Sequence, residues 1–116
     1  MKNLKDFINE AKTTSFRNEQ DIIKDFETNY MGKKTWHDFF QYLVDNSNES
    51  PVDMAHTDMG DEGWRIYLPD IDAMFDCFMS NLFEIANEII LVPGDEKKRY
   101  LKKWKKGSGI RLEDIL

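Results

Sequence analysis

The chain has 116 residues, 41% hydrophobic and 13% aromatic, with a formal net charge of −6. That length suffices for one buried core without staples, and the aromatic content argues against a disordered polymer. One cysteine, Cys77, excludes an internal disulfide. No stretch approaches the roughly eighteen uncharged apolar residues of a membrane span, and the charged start MKNLKDFINEAK lacks a signal peptide's apolar run. The expectation is a single domain over residues 1–116, soluble and cytoplasmic.

In chain order, Leu4, Phe7, Ile8 and Ala11 fall at helical spacing and predict a short first helix. Ser15 is placed to cap a second, with Phe16, Ile23, Phe26 and Tyr30 on one face and Gly32 as terminator. Thr35 with Asp38 three residues on resembles a capping box. Trp36, Phe39, Phe40, Leu43 and Val44 then form a third apolar stripe.

Asn46 to Pro51 reads as a loop, after which the period changes. Val52, Met54 and His56 alternate, as do Trp64, Ile66 and Leu68, across a turn-rich connector from Asp58 to Gly63. Residues 52–68 therefore form either a small β-hairpin or an irregular loop carrying one strand. From Ile71 to about Leu91, apolar residues at 71, 74, 75, 78, 82, 85, 86 and 89 predict a long central helix. Its far end, Glu88 to Val92, is β-branched, which also allows extended chain there. Pro93-Gly94 stops it, and Asp95 caps a basic last helix over about 95–106 that docks through Tyr100, Leu101 and Trp104. Gly107 ends that helix and leaves a short tail, 107–116. The fold class expected is mainly α, a compact bundle of about five helices.

The charge is divided. Residues 1–96 hold 8 Lys/Arg against 20 Asp/Glu, a net of −12, whereas Lys97 to Arg111 holds eight positive charges and no negative one. Lys98, Arg99, Lys102, Lys103, Lys105 and Lys106 would cover the polar face of the last helix. They could be a solvated surface, a contact for the acidic body within the chain or in a second copy, or a nucleic-acid site. On the predicted central helix, Asp72, Asp76, Ser80, Glu84 and Glu88 recur every fourth residue with no Lys or Arg between Ile71 and Val92. Like charges at that spacing repel by roughly 0.2–0.5 kcal/mol per pair, which suits a surface shaped for a basic partner as well as a solvated face.

The run Ile71-Asp72-Ala73-Met74-Phe75-Asp76-Cys77-Phe78 resembles the acidic helix of barstar-type ribonuclease inhibitors. In that family the two aspartates enter a nuclease's basic active site and the aromatic residue between them lies near the interface. The resemblance implies Asp72, Phe75 and Asp76 as contacts, with Glu84 and Glu88 further along the same stripe. It covers eight of 116 residues, and Tyr67-Leu68-Pro69-Asp70 stands where the family has Tyr-Gly-x-Asn.

Other chemistry is thinly marked. His56 lies among Asp53, Asp58, Asp61 and Glu62 in a pattern unlike an EF-hand. His37 reads as a packed or surface residue and Cys77 as an inert thiol. No catalytic residue, metal or cofactor is expected. The functional expectation is an inhibitor-type, immunity-type or regulatory protein that grips a basic partner, such as a nucleic-acid-processing enzyme, by an acidic helix face. The alternatives are nucleic-acid binding through residues 97–111 and salt-sensitive self-association. Reversing Asp72 and Asp76 to lysine is expected to abolish partner binding with the fold intact.

Overall fold

The computed structural model describes residues 16–54, 63–78, 81–103 and 109–116. The predicted first helix, His56 with Asp58, Asp61 and Glu62, Trp104 and Gly107 lie outside them. Within them the five-helix bundle is overturned: three α-helices flank a five-stranded antiparallel sheet.

Helix α1, Glu19–Asp25, starts at Asn18, whose side chain accepts hydrogen bonds from the Gln20 and Asp21 amides. Glu19 and Asp21 in its first turn and Lys24 in its last suit the helix dipole. It runs into a π-helical turn, Phe26–Tyr30, and the chain reverses through Gly32, whose φ of 73° favours glycine. Helix α2, Trp36–Asp45, begins as the sequence suggests, with the Asp38 amide donating to Thr35 Oγ1 at 3.2 Å.

The strands are β1 (Val52–Asp53), β2 (Gly63–Leu68), β3 (Ala73–Phe78), β4 (Ile89–Leu91) and β5 (Ile110–Arg111), in the order β4-β3-β2-β1-β5. Helix α3, Gly94–Lys103, lies between β4 and β5 in sequence. The long hairpin β2–β3 runs from Gly63 opposite Phe78 to Leu68 opposite Ala73.

Each face of the sheet has its own core. Ile66, Leu68, Ala73, Phe75 and Cys77 pack with Ile22 and Phe26 from the first helical segment and Trp36, Phe39, Phe40 and Leu43 of α2. The rings interlock: Phe26 stacks on Trp36 at 5.6 Å, and Phe40 on Trp64 at 4.8 Å. On the opposite face Met54, Met74 and Val92 meet Tyr100 and Leu101 of α3. The result is three layers, helices on both sides of the sheet. The tail closes onto this body, with β5 beside β1 and Leu112 in the larger core. No helix among the described residues is long and apolar enough to cross a membrane.

The predicted central helix fails at its first turn. Pro69–Ile71 form a 3₁₀ turn, and Asp72 then takes the left-handed conformation at φ 51° and ψ 48°. A residue there cannot continue an α-helix, and aspartate is among the few non-glycine types that tolerate it. Asp70 fixes the turn from outside by accepting the Asn48 and Glu49 amides at 2.6 and 3.0 Å. Both faces of β3 are covered, so Ala73, Met74 and Phe75 are all buried in succession. Consecutive apolar residues of this kind imitated a helical stripe.

Candidate functional site

The acidic stripe does not exist as a surface. Phe75 is 2% exposed within the core. Asp76 points to the other face of β3 and binds Arg65 of β2 twice, at 2.7 and 2.8 Å. The Arg65 and Asp76 side chains are only 13% and 15% exposed. Arg65 also reaches Glu96 of α3 at 2.7 Å and lies over the Tyr100 ring at 4.7 Å. The Asp76 hydrogen bonds hold the guanidinium above its ordinary pKa, against the opposing effect of burial. Tyr100 in turn donates to the Met54 carbonyl at 2.9 Å. This group fastens α3 to the sheet, so Asp76 is spent inside the molecule.

Asp72 remains at the surface but is engaged. Tyr67 donates to its carboxylate at 2.7 Å, and Lys97 approaches at 3.1 Å while also donating to its carbonyl. The Tyr67 bond, followed by Lys97, lowers the Asp72 pKa. Burial first, then Asp72, pushes the Tyr67 phenol up to about 12. Lys97, the first residue of the basic segment, thus meets the acidic body within one chain. The helix that was to carry Asp72, Phe75 and Asp76 as partner contacts is absent, and reversing both aspartates would strike the fold.

Glu84 and Glu88 have a different setting. Residues 81–88 form an irregular strap across the start of α2. The Trp36 and His37 amides, unsatisfied within their own helix, donate to the Glu84 and Leu82 carbonyls at 3.0 and 2.7 Å. The Ala86 amide donates to the Lys34 carbonyl at 2.8 Å, and Gly32 to Ala86 at 2.7 Å. Leu82 and Ala86 turn inward, leaving Phe83 74% and Ile85 50% exposed. Phe83 stacks on the His37 ring at 5.8 Å. Beyond the strap, Ile90 of β4 is 45% exposed, opposite Asp76 in register, on the sheet face that Phe78 also occupies. Glu84 and Glu88 are both exposed among these apolar residues, and positions 81–96 contain no Lys or Arg.

Sequence reasoning assigned the exposed apolar residues here to the buried side of a helix. The usable signal was the β-branched run from Glu88 to Val92, where β4 forms. On α3, Lys98, Arg99 and Lys102 are exposed on the side away from Tyr100 and Leu101, and Lys103 ends the helix. Lys105 and Lys106 lie outside the described residues. Arg111, at the end of the basic segment, meets Glu113 and Asp114 at 3.2 and 3.3 Å.

Among the described residues two depressions lie elsewhere. A polar cleft of about 380 Å³ is lined by Tyr30, His37, Asp38, Tyr42 and Asp45. A groove of about 1130 Å³ runs between α3 and the β1–β5 edge, past Met54, Tyr67, Leu101 and Ile110. No described residue of the predicted acidic stripe lines either. Asp53 is buried on β1, and burial raises the Cys77 thiol pKa well above its usual value, as suits an unreactive packed group.

No protein-family model matches the chain, and no curated protein or solved structure matches it.

Proposed function

We propose that this protein is a binding module of inhibitory or regulatory type, acting in a reducing cytoplasm on a basic protein. The observation that carries the reading is the strap and edge at 81–91. Phe83, Ile85 and Ile90 stand out in solvent, interleaved with Glu84 and Glu88 and with no cation nearby in sequence. Exposed apolar side chains close together in the chain are a usual mark of a docking surface. The flanking carboxylates favour a partner that is apolar at its centre and basic at its rim, such as the active-site surround of a nucleic-acid-processing enzyme. The acidic body would speed the encounter and make it sensitive to salt.

Affinity capture from the native cell tests this reading, comparing the wild type with a variant carrying Phe83→Ala, Glu84→Lys and Glu88→Lys. The expected result is one basic protein retained at low salt, released by about tenfold more salt, and lost with the triple variant. A partner retained equally by the variant overturns the surface.

A second reading rests on Lys98, Arg99 and Lys102, which are exposed along one side of α3. It makes the chain a nucleic-acid binder. Titration with DNA and RNA oligonucleotides tests it at about 50 mM salt, where phosphate contacts are strong, and absence of binding removes it.

A further inference from the structure

β4 is an outer strand of the sheet, and its outer side carries the consequence. The Val92 amide donates to the Met74 carbonyl at 2.9 Å, and Asp76 stands opposite Ile90. In an antiparallel ladder, hydrogen-bonded and non-bonded pairs alternate. Positions 90 and 92 therefore turn their peptide groups toward β3. Ile89 and Leu91, opposite Cys77 and Phe75, turn theirs away from it. Two N–H and two C=O groups thus face outward, and among the described residues no strand or side chain pairs with them. Their side chains stay against the larger core, so this part of the edge is rigidly held. Open edges commonly receive a further strand.

We propose that an extended segment of the partner, with basic and apolar residues alternating, adds to β4 as a sixth strand. The inference rests on the reading of 81–91 as the docking surface and specifies its mode. The charge around the edge selects the occupant: Glu84 and Glu88 precede β4, Asp95 and Glu96 follow it, and no Lys or Arg lies between positions 81 and 96. Lysines or arginines of the added strand would lie on the face of Ile90, where Glu96 reaches Arg65, and its apolar residues would extend the other face beside Ile89 and Leu91. The edge offers three residues before Pro93 ends it, which is too short for indiscriminate pairing and makes the side-chain match decisive. An acidic or purely apolar strand would lack that match.

Amide hydrogen exchange by NMR tests the mode on the intact protein. The probe is a short synthetic peptide of alternating valine and lysine. Its controls are the same peptide N-methylated along one edge and a version with glutamate for lysine. The expected result is about tenfold or greater slowing of exchange at Ile89 and Leu91 with the valine–lysine peptide and none with either control. Shifted resonances at Phe83 to Glu88 without slowing at Ile89 and Leu91 would overturn strand addition and leave the surface reading standing. No response at any residue of 81–91 would overturn strand addition by this chemistry, and the capture experiment then decides the surface separately. Slowing that grows with protein concentration in the absence of peptide would overturn it in favour of a second copy on the edge. An Ile89→Pro variant removes one outward donor without touching the β3–β4 ladder. It is expected to weaken the peptide at least about tenfold relative to Ile89→Val, and equal affinity would contradict the inference.

Discussion

Asp76 shows how far a side chain's role depends on what faces it. As sequence it was half of a partner-binding pair, and in the fold it is the anchor of Arg65, the residue that joins two strands to α3. Without Asp76, Arg65 keeps only the half-exposed Glu96, and breaking a largely buried ion pair in this way costs roughly 3 kcal/mol. Asp76→Lys is therefore expected to lower the unfolding free energy and with it the denaturant midpoint substantially, whereas Glu84→Lys, at the exposed surface, should change the free energy by less than about 0.5 kcal/mol. Equal midpoints for the two variants would contradict the assignment of Asp76 to the interior. The Tyr67–Asp72 contact gives a pH-dependent outcome. A phenol raised from 10.0 to about 12 contributes stability that is complete below pH 10 and is lost as the pH rises toward 12. Asp72, lowered from 3.8, contributes stability present above that value and lost on acidification through its folded pKa. Unfolding curves at about pH 9 and 11 should separate more in the wild type than in Tyr67→Phe, because the variant lacks the shifted phenol. An unchanged separation would show that the phenol is not shifted.

At the scale of elements, what was legible followed from local chemistry. Thr35 and Asp38 marked the start of α2, and the Trp36, Phe39, Phe40 and Leu43 stripe is the face it buries. Tyr100 and Leu101 do dock α3. The error lay at 71–91, where both faces of β3 are covered and period two disappears into an apolar run. Asp72's left-handed turn breaks that run from a helix at its start, and Asp72 is held there by Tyr67 and by Lys97 of α3. Of the candidate site, Glu84 and Glu88 were found for the wrong geometric reason, and Phe83, Ile85 and Ile90 were missed as surface residues. At the other border of the sheet, Gly109 lies against Val52 and the Asp53 carbonyl, with no room for a β-carbon. Gly109→Ala is expected to destabilise by about 1–3 kcal/mol, measured by thermal or denaturant unfolding, as β5 is forced from β1. A neutral result would contradict the close approach of these two strands.

For the whole molecule, the division of charge resolves into two exposed territories on either side of one anchored helix. Lys97 and Glu96 tie α3 to the body through Asp72 and Arg65, while Lys98, Arg99 and Lys102 remain outward. The strap and β4 make up the acidic, apolar territory, and the helix makes up the basic one. We propose that the first of these recognises the partner. The most direct measurement compares two folded variants, Glu84→Lys/Glu88→Lys and Lys98→Glu/Arg99→Glu/Lys102→Glu, for capture of the partner that the wild type retains. The expected result is loss of at least about tenfold in affinity for the glutamate variant and little loss for the lysine–arginine variant. The reverse order would place recognition on α3 and contradict the account.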